Sequence, residues 1–550
     1  MHIPKSTYRL QFHPGFGFKK ARQMIPYLQS LGISHIYASP ICKAVHGSAH
    51  GYDVVNPTEL NPELGTAQDF TRLLQDASDH GLGWIQDIVP NHMAFSGQNS
   101  WLMDMFENGR GSPYVGIFDI EWRDTYQSLK GRLLAPFLGR FYSQCLEDKE
   151  LQLEYRAGRL TVNYYELCFP LRLDSYADVF LFDLDKLSQA LGPQSEALTV
   201  YTELFRRLDL PVTGKKSDGK QNLQADRLKL WALFQENAQI RRHMKHCLNH
   251  FNGRKGEAES FNDLDRLLLK QYFRLTFWKF GAEEINYRRF FNINQLISIR
   301  VEDNAVFEQT HQLILSWGRA GLIDGVRIDH IDGLYDPQRY LQRLRKALPA
   351  AYIVAEKILE HDESLPANWP IQGTTGYETL NIINGLFVNR KKEKAFDALY
   401  QRLTGTQYDF AELVSSKKRL IIGKHMAGDI ENLAYHMKRI SNKDRYGRDI
   451  TLYGLKRGLV EVMANFPRYR TYIDNDTVGE DDRKVIETAL DRAREQSPGL
   501  VYELAFIRDI LLLNFKDYLA ERDRRHWVHF VRRFQQFTGP LMAKGFEDTT

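Results

Sequence analysis

The chain has 550 residues, 43% of them hydrophobic and 26% charged, with a net charge of +4. That length exceeds one ordinary domain, and so small a charge spread over it argues against a nucleic-acid or anionic-membrane partner. The cysteines Cys42, Cys145, Cys168 and Cys247 are scattered without a C-x-x-C pair, Met1 is followed by no apolar leader, and no apolar run reaches bilayer length, so a soluble cytoplasmic protein is expected.

In chain order, Ser6 to Phe12 alternates like a strand, Phe18 to Leu31 has helical periodicity ending at Gly32, and Ile33 to Ala38 is strand-like again. Thr66-x-x-Asp69 resembles a capping box that opens a helix to His80, and Trp84 to Val89 follows as a strand. The rhythm returns with a helix over Phe307 to Ala320, a strand over Gly325 to Asp329, an Asp336-Pro337 helix start and a strand over Tyr352 to Glu356. Strands alternating with helices imply a parallel α/β sheet, and at this length a closed barrel. The expected segments are 1–92 (strands 1–3), an insertion over 93–285, a barrel continuation over 286–390 (strands 4–6) and a helical stretch over 391–550. The insertion includes a loop-like run from Gly214 to Gly219. The basic and aromatic residues near the end, such as Arg522, Arg525, Trp527 and Arg532, read as a solvated helix face, because Glu521 and Asp523 dilute the charge.

Three predicted strand ends carry carboxylates: Asp87-Ile88-Val89-Pro90-Asn91-His92, Gly325-Val326-Arg327-Ile328-Asp329 and Val354-Ala355-Glu356. Residues two apart in a strand face the same way, so Arg327 stands beside Asp329, where a guanidinium favours the ionised carboxylate that a nucleophile needs. Glu356 has apolar neighbours, and partial desolvation suits it to general acid work. Such a pair is the layout of a retaining glycosidase, with carboxyl groups about 5–5.5 Å apart. A lone strand-end aspartate is more often a salt bridge or cap; it is the joint order of the three that carries weight. The cluster His243, His246, Cys247 and His250 has helical spacing but no second ligand pair, and no metal is expected there.

These segments resemble the α-amylase superfamily, whose signatures have the forms D-x-x-x-N-H, G-x-R-x-D and a strand ending in Glu. The resemblance implies a (β/α)8 TIM barrel with large insertions, Asp329 as nucleophile, Glu356 as general acid/base, Arg327 as the nucleophile's partner, Asp87 beside the arginine and His92 on the sugar. It puts Asn91 near the substrate side, without a calcium ligand set. His50-Gly51-Tyr52-Asp53 is similar to a segment whose tyrosine stacks on a glucose ring while the histidine and aspartate bind hydroxyls. Longer runs, including Ile3 to Phe12, Gly47 to Val55, Glu284 to Phe291, Arg327 to Leu334 with His330, Glu356-Lys357-Ile358-Leu359, Gly373 to Tyr377 and Phe534 to Pro540, resemble the maltooligosyl trehalose synthases within that superfamily.

That narrower likeness implies an intramolecular transglucosylation that turns the reducing-end α-1,4 linkage of a malto-oligosaccharide into an α,α-1,1 linkage. It implies no cofactor, and pathway pairing with a maltooligosyl trehalose trehalohydrolase. A plain glucan hydrolase and an inactive glucan-binding form are the alternatives. Tyr52, Tyr287, Phe290, Phe291, Trp369 and Tyr377 are candidate aromatic walls. Asp332 and Gly333, where ordinary amylases have lysine and histidine, are read as a rebuilt acceptor side. The family's later His-Asp pair does not occur after the Glu356 strand: His361-Asp362 comes too early and Asp548 lies at the end. An incomplete barrel with an open edge is therefore expected.

Overall fold

The computed structural model describes residues 2–122, 127–208, 217–474 and 477–550. The first part of the expected Gly214–Gly219 loop, 214–216, lies outside them; from Ser217 the chain is helical to Glu236. The chain divides into two compact units, one of residues 1–94, 282–284 and 288–550 and one of residues 95–281 and 285–287.

The first unit is built on six parallel strands: β1 (Thr7–Leu10), β2 (His35–Ala38), β3 (Gly83–Ile88), β4 (Gly325–Ile328), β5 (Tyr352–Ala355) and β6 (Gly373–Thr374). Each pairs with its neighbour in sequence, so the sheet order is 1-2-3-4-5-6 with β1 and β6 at its edges. Sequential parallel pairing with helical crossovers is the construction of a (β/α)8 barrel, here as a curled six-stranded part of one. Alternation along each strand assigns the two faces. Ile36, Trp84, Val326, Ile328 and Ile353 are buried in a core with Phe70 of the Ala67–Asp79 helix and with Tyr340 and Leu341 of the Pro337–Ala347 helix. The intervening residues Tyr37, Asp87 and Arg327 point to the opposite face.

Local chemistry sets the helix boundaries. The Thr66 hydroxyl accepts from the Asp69 N–H and Asp69 accepts from the Thr66 N–H, both at 3.1 Å, which is the expected capping box. Asp336 caps the helix beginning at Pro337 by accepting from the Arg339 N–H at 3.0 Å. The single helix expected from Phe18 to Leu31 is two, Phe18–Gln23 and Ile25–Ser30, because Pro26 has no N–H to continue the first ladder and fits only a first turn.

Six helices between Phe410 and Leu541 share a core of their own, including Leu455, Leu459, Ile507, Phe530 and Phe534. In the last of them, Arg522 and Arg525 are exposed as expected, but Trp527 is buried and Arg532 pairs with Asp336 at 3.3 Å, so only part of that helix is a solvated face. The second unit contains an antiparallel three-stranded sheet (Leu151–Arg156, Arg159–Tyr164, Leu167–Pro170) and several helices. Its first hairpin turns on Ala157 and Gly158, both at positive φ, as a two-residue turn of right-handed strands requires. Among the described residues no helix is long and apolar enough to cross a membrane.

Gly325 lets β4 approach β5, since a Cβ there would stand 2.3 Å from the Tyr352 carbonyl oxygen. The Gly325→Ala protein is expected to lose about 1–3 kcal/mol of stability, read from urea unfolding; an unchanged midpoint would show that the sheet gives way at no cost.

Candidate active site

The site forms where β3, β4 and β5 end. Asp87 and Arg327 are register partners across β3 and β4. The ladder runs one residue past both strands that follow: the Asp329 N–H donates to the Ile88 carbonyl at 3.0 Å and the Glu356 N–H to the Ile328 carbonyl at 2.9 Å. Those two bonds fix the backbone under both candidate catalytic carboxylates.

Arg327 is shared by three acids. Its Nη1 donates to both oxygens of Asp87, at 2.9 and 3.1 Å, and to Asp329 Oδ1 at 2.8 Å, while Nη2 lies 3.1 Å from Glu356 Oε1. Glu356 Oε2 accepts from the His330 N–H at 2.8 Å, and the Tyr377 hydroxyl stands 3.5 Å from Oε1. Asp329 Oδ2 is buried and has no hydrogen-bond partner.

Burial acts to discharge Arg327, but Asp87, Glu356 and Asp329 outweigh it and raise it above an ordinary arginine. Burial also pushes the Asp87 carboxyl up, against Arg327 and two tyrosine hydroxyls. Asp329 is pushed well up by burial and then by Glu356, with Arg327 opposing. The sequence suggested a low nucleophile beside its own arginine. A single guanidinium divided among three acids cannot hold all of them down.

Asp87 is further held by the hydroxyls of Tyr37 at 2.9 Å and Tyr52 at 2.6 Å. Tyr52 also accepts from Arg9 at 3.2 Å. Neither Arg9 nor Tyr37 stood out in the sequence, yet Arg9 is the register partner of Tyr37 and both fall on the face of Arg327. The period-two reading of the strand over Ile33–Ala38, with Ile36 and Ala38 inward, was the signal that could have found Tyr37.

The other expected residues divide. His50 is half-exposed and accepts from the Tyr52 N–H at 3.0 Å, while Asp53 accepts from the Ser48 hydroxyl at 2.5 Å. Asn91 is buried and accepts from Arg288 at 2.7 Å, which makes it a scaffold contact. His92 is buried with its ring 4.4 Å from Phe290, and neither ring nitrogen makes a well-formed hydrogen bond. Burial and then His330 hold it down to about 3, with the Tyr52 backbone acting the other way, so it is a neutral imidazole. His330 is brought down to about 4 by burial, and its ring stands 5.0 Å from both Phe290 and Phe291.

Two expected walls are elsewhere. Trp369 is in the barrel core with its ring edge-on to Tyr472 at 5.0 Å. Tyr287 belongs to the second unit, buried against Phe95 at 5.5 Å. Nor does Asp332 face an acceptor: its carboxylate is taken by Lys357 at 3.4 Å and by the Tyr472 hydroxyl. Asp548 is exposed and paired with Lys544 at 2.7 Å. No group of three or more His, Cys, Asp or Glu suited to a metal occurs among the described residues; His243 instead bonds the Phe180 carbonyl at 2.9 Å and His250 pairs with Asp263 at 2.7 Å.

The α-amylase catalytic-domain family model matches residues 21–136. A protein of Mycobacterium tuberculosis strain H37Rv, provisionally named a maltooligosyl trehalose synthase, is 31% identical over 553 residues, covering 99% of this chain and 56% of its own. The maltooligosyltrehalose synthase structure from Arthrobacter ramosus superposes with a TM-score of 0.71 at 29% identity, again over 99% of this chain and 56% of that one. By sequence and fold, this chain is similar to maltooligosyl trehalose synthases over nearly its whole length. A structure from Sulfolobus tokodaii titled a hypothetical maltooligosyl trehalose synthase gives a TM-score of 0.65 at 29% identity over 100% of this chain and 56% of that one. The chain thus spans 56% of the length of these synthase relatives, and its first unit carries the α-amylase-type strands with their carboxylates.

The native state keeps a proton on Asp329 in a pH range where the unfolded chain has released it. Its contribution to stability therefore falls as pH rises from the unfolded carboxylate value, about 4, toward the raised native one. The Asp329→Asn protein is expected to melt about 2 °C or more above wild type at pH 7, with the gap closing toward pH 4. A wild type that melts higher than the variant at pH 7 would contradict an upward shift at Asp329.

Proposed function

We propose that this chain carries a retaining glucosyl-transfer centre that converts the reducing-end α-1,4 linkage of a malto-oligosaccharide into an α,α-1,1 linkage. The observation that carries the reading is Asp329: one oxygen is anchored on Arg327 at 2.8 Å, and the other has no hydrogen-bond partner, so its lone pairs are uncommitted, which suits a nucleophile. Glu356 on the second amino group of the same guanidinium favours the close spacing of a retaining pair over the roughly 6.5–9.5 Å of an inverting one.

In this mechanism Asp329 attacks the anomeric carbon of the second sugar from the reducing end. Glu356 protonates the departing oxygen, which leaves a glycosyl ester and one glucose. The glucose then offers its anomeric hydroxyl; Glu356 takes that proton, the oxygen attacks the anomeric carbon of the glycosyl ester, and the bond from that carbon to the Asp329 oxygen breaks. Water must be excluded while the glucose turns. The rings of Phe290 and Phe291, 4.3 Å apart, with His92 and His330 against them, offer an apolar wall with neutral edges for this. Tyr52 and Tyr377 supply further aromatic surface. No cofactor takes part. The substrate class fits a cytoplasmic protein acting ahead of a hydrolase that releases trehalose from the product, the role of a maltooligosyl trehalose trehalohydrolase.

Incubation with maltopentaose is expected to remove reducing ends without matching release of glucose; glucose with no non-reducing product would make it a hydrolase instead. Asp329→Asn and Glu356→Gln are each expected to lower turnover at least about 10³-fold while leaving oligosaccharide affinity within about threefold. More than about a tenth of wild-type activity in either would remove the assignment.

Arg327→Lys is expected to lower turnover about 100-fold or more, since an ammonium cannot reach three carboxylates in one plane. A near-normal rate would mean that the planar fork has no part in the chemistry.

A further inference from the structure

Behind the three carboxylates lies a second buried charge cluster. Asp332 comes three residues after Asp329, and Lys357 immediately follows Glu356, so each belongs to a loop that carries a candidate catalytic acid. The Lys357 side chain is fully buried. Its Nζ lies 3.4 Å from Asp332 Oδ2 and 2.9 Å from Glu363 Oε1, and it donates to the Ile358 carbonyl at 2.9 Å. The ammonium thus has two carboxylates and one carbonyl oxygen within 3.4 Å. The Tyr472 ring stands 5.8 Å from the ammonium, and its hydroxyl donates to Asp332.

Burying such a group costs desolvation that pairing roughly offsets, so net stability is a weak reason for its presence. Its geometric effect is larger: the buried ammonium ties the loop after β4 to the loop after β5 one residue from the Glu356 Cα. Free of that tie, the Glu356 carboxyl would keep its contacts to Arg327, the His330 N–H and Tyr377.

We propose that Lys357 is a positioning residue: gripped by Asp332 and Glu363, it fixes the Glu356 carboxyl relative to Asp329 and so sets proton transfer to the departing oxygen. This rests on the reading of Glu356 as the acid/base. The Asp332-Gly333 departure from the ordinary amylase pattern then serves to hold the acid in place.

Two variants test it: Lys357→Met, which keeps the length of the side chain without its charge, and Asp332→Asn, which keeps an acceptor for Tyr472. Each is assayed on maltopentaose, whose leaving oxygen needs a proton, and on α-maltosyl fluoride with azide. There fluoride departs as an anion, Asp329 forms the ester, and azide displaces it without a base. Maltopentaose turnover is expected to fall about 10–100-fold with KM within about threefold, and the fluoride reaction to stay within about threefold. Equal losses on both substrates would overturn the proposal.

A second measurement does not depend on turnover. The His330 amide, which donates to Glu356 at 2.8 Å, is expected to exchange its hydrogen about tenfold faster in both variants while the Val326–Ile328 amides keep their rates. Unchanged His330 exchange, or equal acceleration along β4, would overturn the positioning role. If the wild type turns over neither sugar, the functional reading falls and the exchange comparison alone decides the placement of Glu356. If Lys357→Met does not fold, Asp332→Asn carries both comparisons.

Discussion

Everything at this site depends on one guanidinium serving three carboxylates. Arg327 can reach Asp87, Asp329 and Glu356 together only if β3, β4 and β5 run parallel in one register, with Gly325 allowing β4 against β5. The charges do not balance: three acids face one arginine in a buried setting, where unpaired negative charge is costly. The remaining lone pairs are met by dipoles and hydroxyls. Tyr37 and Tyr52 serve Asp87, and the His330 N–H serves Glu356. Of the oxygens of these three acids, only Asp329 Oδ2 is left without a partner.

What was legible in the sequence is what one strand or one helix turn decides. Arg327 and Asp329 share a face because strands have a period of two; Thr66 and Asp69 close a capping box; Asp336 and Pro337 start a helix. The β/α rhythm yielded the first five strands of the sheet within a residue or two of their observed ends, but gave no range for β6 at Gly373–Thr374. The candidate acids Asp87, Asp329 and Glu356 converge as their order suggested. The helix broken at Met24 was also legible in principle, since Pro26 forbids the continuous ladder that the apolar spacing alone implied.

What was not legible comes from distant segments. Asn91 looked like a residue for the sugar side, but Arg288, nearly two hundred positions away, takes its oxygen. Trp369 and Tyr287 have the right ring for a sugar wall and lie in cores instead, because an aromatic residue's burial is set by which elements pack on it. The direction in which Asp329 is shifted was misjudged for the same reason. A pairwise reading sees Arg327 beside Asp329, whereas the competing claims of Asp87 and Glu356 arise only on assembly of the sheet.

The loop after Asp329 shows how far this remote control extends. His330 sits at φ +50°, a left-handed conformation that costs a non-glycine residue about 1 kcal/mol or more. Its ring lies so close to Gly333 that a Cβ there would stand 2.2 Å from it. The Gly333 N–H donates back to the His330 carbonyl at 3.0 Å, and the Gly333 carbonyl accepts from Arg288 at 3.0 Å and from Gln536 at 2.9 Å. Arg470 is fully buried and donates to the carbonyls of Asp332 and Leu334. The loop of the strained histidine is therefore held from behind by Arg470 and by Gln536 of the Glu521–Leu541 helix. Gly333 is dictated by the crowding of the His330 ring, while the Asp332 side chain is engaged by Lys357 and Tyr472. The region after Phe410 thus buttresses the loop that carries Asp329 and His330: Arg470 and Gln536 join Arg288 on its carbonyls.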